Sequence, residues 1–134
     1  MLGKFALAAV CLALSSGQMR ADPNATFYTL TDADAAMVQA GVSAKLLDPE
    51  SARFTQLIAA TSPPPDAAKP DECMIWVCGH VSRKNTFGGY AQPTPFLGAI
   101  VANKPLFVVI SIAGPDASEQ SATLQTCLSK MPDN

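Results

Sequence analysis

The sequence predicts an α+β fold, with about four antiparallel strands packed against one N-terminal and one C-terminal helix. Three observations predict it. Four apolar segments rich in β-branched and aromatic residues follow one another between positions 54 and 113, and consecutive strands usually pair as neighbours. A stretch with helical spacing precedes them and another follows them, and strands in one run with helices at its ends form the α+β pattern. The chain has 134 residues, 49% of them hydrophobic, which is the size of a single domain with one core.

The first 21 residues stand apart from that domain. Lys4 supplies a positive charge, "FALAAVCLAL" (5–14) is an apolar run, and the small polar residues "SSGQ" follow. This is the order of a secretory signal peptide, and the run is well short of the roughly 20 residues a membrane span needs. Cleavage after Gly17 or after Ala21 fits, and the mature form then has no membrane span. Cys11 follows Val10 rather than a small residue, which argues against a lipid-modified cysteine. Residues 22–31 read as a tether carrying the sequon Asn24-Ala25-Thr26, and residues 32–134 as the domain.

Within the domain the elements follow in order. Thr31 or Asp32 can cap a first helix on which Ala35, Val38, Val42 and Leu46 share one face. Gly41 in its middle costs about 1 kcal/mol against alanine, so this helix depends on packing. It should stop near Leu47, because Pro49 restricts the residue before it. Asp48 can cap a single turn with Pro49 in its first position. "FTQLIAAT" (54–61) is a strand, and "SPPPDAAKPDE" (62–72) an exposed loop. "CMIWVCGHVS" (73–82) is apolar at both parities, the mark of a central strand covered on both faces. "PFLGAIVAN" (95–103) and "PLFVVISIA" (105–113) form an antiparallel hairpin. Asp116 and Ser118 open the last helix, where Leu124, Cys127, Leu128 and Met131 line one face.

Charge excludes some functions. The net charge is −2, so no basic surplus draws nucleic acid to the surface, and no run of like charge marks an anchor.

An exported chain meets an oxidising compartment where disulfides persist. With the leader removed, the thiols are Cys73, Cys78 and Cys127, which allow one bridge. In a continuous strand Cys73 and Cys78 stand about 16 Å apart, against a preferred Cα separation of roughly 5.5 Å. Cys127 is therefore one partner. Cys78 lies mid-strand where a helix would cross, so Cys78–Cys127 is the expected bridge and Cys73–Cys127 the alternative. Cys73, Cys78, His80 and Cys127 also count to a zinc set, but strand alternation puts Cys73 on the face opposite Cys78 and His80. No metal or cofactor site is expected. Cys78 and His80 have the parity of a nucleophile and its base, but the bridge takes the thiol. The acids Asp32, Asp34, Asp48 and Glu50 sit at helix starts, where capping accounts for them.

"KNTFGGY" (84–90) lacks the spacings that cradle phosphate. Gly88-Gly89 permits a tight turn, with Phe87 and Tyr90 placed to pin it to the sheet. Lys84 and Asn85 can offer donors to a ligand, and with Tyr90 and His80 they are the candidate binding residues.

"LLDPESARF" (46–54), then "VCGHVSRKNTFGGY" (77–90), a Pro-Phe pair and a late cysteine resemble a functionally uncharacterised family of small exported bacterial proteins. Its members read Leu-x-Asp-Pro-x-Ser-Ala-x-Phe, then Cys-Gly-x-Val-Asn-x-Lys-Asn-x-x-Gly-Gly-Tyr. The chain departs from that pattern at Ser82, where members often carry Asn, and at Gln92, where a glycine is expected. The resemblance implies a bacterial host and the cell envelope, but no reaction. The expected function is thus a non-enzymatic envelope protein, periplasmic or secreted. Its disulfide-stapled domain would bind another envelope protein or polymer. The alternative is a small-ligand carrier or enzyme using the Cys78/His80 face and the 84–90 loop. A deep apolar pocket bordered by His80, Lys84, Asn85 and Tyr90 would favour the alternative, and a flat loop surface the first reading.

Overall fold

The structure, a computed structural model, describes residues 24–62, 73–84, 87–101 and 106–132. The expected signal peptide with Cys11, residues 63–72 of the Pro-rich loop, Asn85 and the 103–105 turn lie outside them.

The elements are β1 (Thr26–Phe27), α1 (Asp32–Ser43), a 3₁₀ turn (Pro49–Ser51), β2 (Arg53–Ser62), β3 (Met74–Ser82), β4 (Thr94–Val101), β5 (Leu106–Ile112) and α2 (Ala117–Lys130). The strands form one antiparallel sheet in the order β1-β2-β3-β4-β5. This is the expected α+β fold with one strand more. The extra strand comes from the segment read as a tether. Thr26 pairs with Thr61 and Phe27 with Ala60, and the next residue bonds Tyr28 N–H to Ala59 O at 2.9 Å.

Tyr28 then ties this edge to the start of α1. Thr31 is the N-cap, its hydroxyl accepting from Asp34 N–H while the Asp34 carboxylate accepts from Thr31 N–H, a reciprocal capping box. The Tyr28 hydroxyl donates to the same carboxylate at 2.9 Å. Partial burial, and then the Asp34 carboxylate itself, push the Tyr28 phenol up to about 12.

α1 ends at Ser43, short of the expected Leu47. The chain tightens there, Lys45 N–H bonding to Val42 O and Leu46 N–H to Ser43 O, the three-residue spacing that commonly closes a helix. Leu46 is still buried, as its place on the helical face requires, while Leu47 points to solvent. At the elbow Pro49 opens the turn as expected. Asp48 contributes its backbone carbonyl rather than its carboxylate, accepting from the Ser51 hydroxyl at 2.9 Å.

The central strands are buried on both faces, and a helix covers each. On one face Val38 and Val42 of α1, with Leu46 just beyond its end, meet Ile75, Val77, Val81, Phe96 and Ile100. Phe54 packs edge-on against Phe96 with ring centroids 5.9 Å apart. On the other face Cys127 of α2 and Met131 just beyond its end meet Ala25, Ala60, Cys78 and Leu97. Lys130 sets its ammonium 4.4 Å above the centre of the Trp76 ring.

The face of α2 differs from the expected one. Thr123, Cys127 and Met131 are buried, whereas Leu124 and Leu128 are 41% and 65% exposed. Two contacts set this rotation. Cys127 is bonded to Cys78, and the Thr123 hydroxyl lies 3.1 Å from that of Ser111 on β5. Residues four apart share a helix face, so pointing Cys127 at the sheet brings Thr123 and Met131 with it and turns the leucines aside.

β2 carries a bulge. Thr55 pairs with His80 and Ile58 with Cys78, so Gln56 and Leu57 together oppose Gly79. Gln56 takes φ 57° there, a left-handed conformation normally left to glycine. The extra residue swings Leu57 toward α1. A Cβ on Gly79 would lie 2.6 Å from Leu57 Cδ2 and 2.9 Å from Phe96, so the missing side chain is what admits both.

Gly41 is explained by the same kind of crowding. A Cβ there would lie 2.6 Å from Cδ2 of Phe107 on β5, and one on Gly98 of β4 would lie 2.2 Å from the same ring. The Phe107 ring is thus wedged between a helix glycine and a strand glycine. Helix propensity alone would make Gly41→Ala stabilising by about 1 kcal/mol. With overpacking costing about 1–3 kcal/mol, the variant is expected to be less stable than the parent in urea unfolding. Gly98→Ala should lose more, because the added carbon also meets Val108 O at 2.7 Å. A Gly41→Ala protein with a raised urea midpoint would refute the wedge.

Candidate functional site

The two sequence motifs, far apart in the chain, meet at one end of the sheet. Ser51 is 6% exposed. Its hydroxyl donates to Asp48 O and accepts from Lys84 N–H at 3.2 Å. Arg53, at the start of β2, lays its guanidinium 3.6 Å from the centre of the Tyr90 ring. Stacking of this kind holds the cation over the aromatic face. The elbow of the first motif therefore grips both ends of the loop that ends the second.

The loop itself is a narrow hairpin. Lys84 and Tyr90 form an isolated antiparallel bridge, Ala91 N–H bonds to Arg83 O at 2.9 Å, and the Ser82 hydroxyl donates to Ala91 O at 2.9 Å. Gly88 turns the tip with φ 85°, and a Cβ on it would meet nothing within 4 Å, so backbone conformation rather than space calls for glycine here. Tyr90 folds in beneath Arg53 as expected. Phe87 does not pin the turn to the sheet: its side chain stands 94% exposed at the tip. The Lys84 side chain is exposed nearby, and Asn85 lies outside the described residues.

His80 belongs to a different surface. It pairs with Thr55 and Pro95 and lines a groove of about 350 Å³ between α2 and the sheet, together with Gln56, Ile58, Pro95, Leu124, Leu128, Met131 and the Cys78–Cys127 bridge. Neither Lys84 nor Tyr90 borders it. The structure thus separates His80 from Lys84 and Tyr90, with which the sequence grouped it.

The cysteines pair as expected, Cys78 with Cys127, with Cα atoms 6.0 Å apart. With its sulfur in a bridge, Cys78 is not a thiolate nucleophile for His80 to activate. Cys73, 1% exposed, is not a free thiol either, contrary to the expectation of a single bridge. Among the described residues no three His, Cys, Asp or Glu side chains gather as a metal set, and no helix is long and apolar enough to cross a membrane.

Sequence reasoning missed the roles of Ser51 and Arg53. The available signal was their place in a motif that accompanies the loop motif. No protein-family model matches the chain, and no curated protein or solved structure matches it.

The junction can be tested at Ser51. Ser51→Ala leaves the Lys84 N–H without its acceptor, and losing a part-buried hydrogen bond of this kind costs about 0.5–1.5 kcal/mol. Unfolding in urea should register that loss, and hydrogen exchange should quicken at the Lys84 amide. Asp48→Asn, which keeps the backbone carbonyl in use, should change little. Equal stability of Ser51→Ala and the parent would mean that the hydroxyl does not hold the loop.

Proposed function

We propose that the protein is an exported, non-enzymatic binding domain that engages an envelope protein or polymer through the Lys84–Tyr90 hairpin. One observation carries this reading: Phe87, 94% exposed, is presented on a hairpin whose two ends are fixed to the body by Ser51 and Arg53. Aromatic side chains dominate binding energy when a partner buries them. A loop already held in place loses little freedom on binding. The exposed Lys84 adds a cation beside the aromatic. Export is supported by the n-, h- and c-region order of residues 1–21, and the Cys78–Cys127 bridge is compatible with an oxidising compartment.

A second reading rests on the groove. Its lining is largely apolar, and it holds His80, whose Nδ1 is buried without a hydrogen-bond partner among the described residues. That combination suits carriage of a small apolar ligand.

One experiment separates the two. The full-length chain is expressed in a bacterium, recovered from the periplasm and immobilised, and periplasmic extract is passed over it and over single variants. Phe87→Ser should lower capture of the retained component at least about thirtyfold, the range of a hot-spot residue, and Lys84→Ala should lower it as well, while Leu128→Arg leaves it unchanged. Loss with Leu128→Arg alone would move the function to the groove, and equal capture by all variants would remove the hairpin's role. The recovered chain should begin after Gly17 or after Ala21 by mass. An intact chain confined to the cytoplasm would overturn export.

A further inference from the structure

The two edges of the sheet are built differently. On the β2 side the edge is blunted three times over: β1 covers two of its residues, the Gln56–Leu57 bulge interrupts it, and Arg53 places a charge at its end. These are devices by which proteins keep sheet edges from pairing with other chains.

β5, at the opposite edge, has almost none of them. Its sequence, "LFVVISI" (106–112), contains no charge, no proline and no glycine. Among the described residues no strand pairs with its outer side. The one irregularity is an extra residue at Ile110, where Leu97 pairs with Ser111 and Gly98 with Val109. Of this strand's side chains α2 meets Ser111 but leaves the apolar ones beside it uncovered. Leu106, Val108 and Ile110 are 54%, 43% and 50% exposed.

We propose that β5 is a dimer interface, pairing antiparallel with β5 of a second copy to make a continuous ten-stranded sheet. The occupant follows from the strand itself. "LFVVI" is apolar in either direction, so an antiparallel copy centred on Val108 sets Leu106 against the partner's Ile110 and Phe107 against the partner's Val109. Every cross-strand pair is then apolar on both faces, and the unpaired backbone groups of each edge meet their complements. The three exposed side chains of each copy join into one covered strip. The contact is small as interfaces go, so the dimer forms reversibly and depends on concentration.

Sedimentation equilibrium of the full oxidised protein tests this. The parent should shift from monomer to dimer as concentration rises. Val108→Lys should stay monomeric, with a circular dichroism spectrum and melting temperature like the parent's. Ile58→Lys, an equally exposed apolar site on β2, should dimerise normally. Val108→Cys should cross-link to itself under mild oxidation, since facing Cβ atoms lie about 4.5–5.5 Å apart, whereas Ile110→Cys should cross-link only when mixed with Leu106→Cys. A parent that is monomeric at every concentration would overturn the proposal. So would a dimer that survives Val108→Lys, or self-linking that is equal at positions 108 and 110.

Discussion

The Cys78–Cys127 bond is the contact on which the second layer of the fold depends. β3 and β4 are apolar on both faces, so the sheet requires two covers, and the chain supplies one helix at each end. α1 covers its face by ordinary burial, with Val38, Val42 and Leu46 all withdrawn from water. α2 is less well equipped. Of its own residues only Thr123 and Cys127 are buried, with Met131 just beyond its end. Full burial of an apolar side chain stabilises by about 1.5–3 kcal/mol, and so few buried groups fall well short of the entropy of ordering fourteen residues. A bridge closing a 49-residue separation contributes roughly 4 kcal/mol in the chain-entropy model. The bond is thus comparable with all the apolar burial that holds α2 in place, and it also sets the helix's rotation.

That rotation has consequences across the surface. With Cys127 directed inward and Thr123 meeting Ser111, α2 contacts chiefly β4 and β3. It leaves apolar side chains uncovered on either flank. On one side Ile58, Leu124 and Leu128 border the His80 groove. On the other, Leu106, Val108 and Ile110 line the open edge. Neither surface would exist if α2 packed through its leucines. The α1 face shows the opposite economy: Phe107 enters the space vacated by Gly41 and Gly98, and helix and sheet come into close contact.

Much of this was legible in the sequence, and the misses have physical causes. Strand rise was enough to exclude a Cys73–Cys78 bridge and so to require Cys127, and the mid-strand place of Cys78 made it the expected partner with Cys73 as the alternative. The capping of α1 and the Pro49 turn were legible because each depends on a few adjacent residues. The face of α2 was misread by following hydrophobicity, when the bridge already predicted required Cys127, and so Thr123 and Met131, to face the sheet. Gly41 was read as a cost because its reason is Phe107, distant in the chain. β1 and the bulge at Gln56 carry no local signal, since two residues make a strand only where a neighbour exists. The grouping of His80 with Lys84 and Tyr90 failed because closeness in sequence does not decide which surface a strand residue faces.

The two motifs can now be divided by what the fold asks of each residue. Pro49 opens the turn, Ser51 receives the Lys84 amide, Arg53 covers Tyr90 and Phe54 packs on Phe96. Cys78 holds α2, the bare Gly79 admits Leu57 and Phe96, Val81 is core, and Gly88 turns the tip. Architecture accounts for all of these. It does not account for the Lys84 side chain, whose backbone alone makes the junction contact, or for an aromatic side chain at position 87 turned almost wholly to water. A small hydrophilic residue would satisfy the hairpin as well and avoid the cost of exposing apolar surface. A structure that fixes so many neighbours in order to hold these two side chains at its tip is arranged as a binding element would be, and for that reason the hairpin, rather than the groove, is where the proposed function is placed.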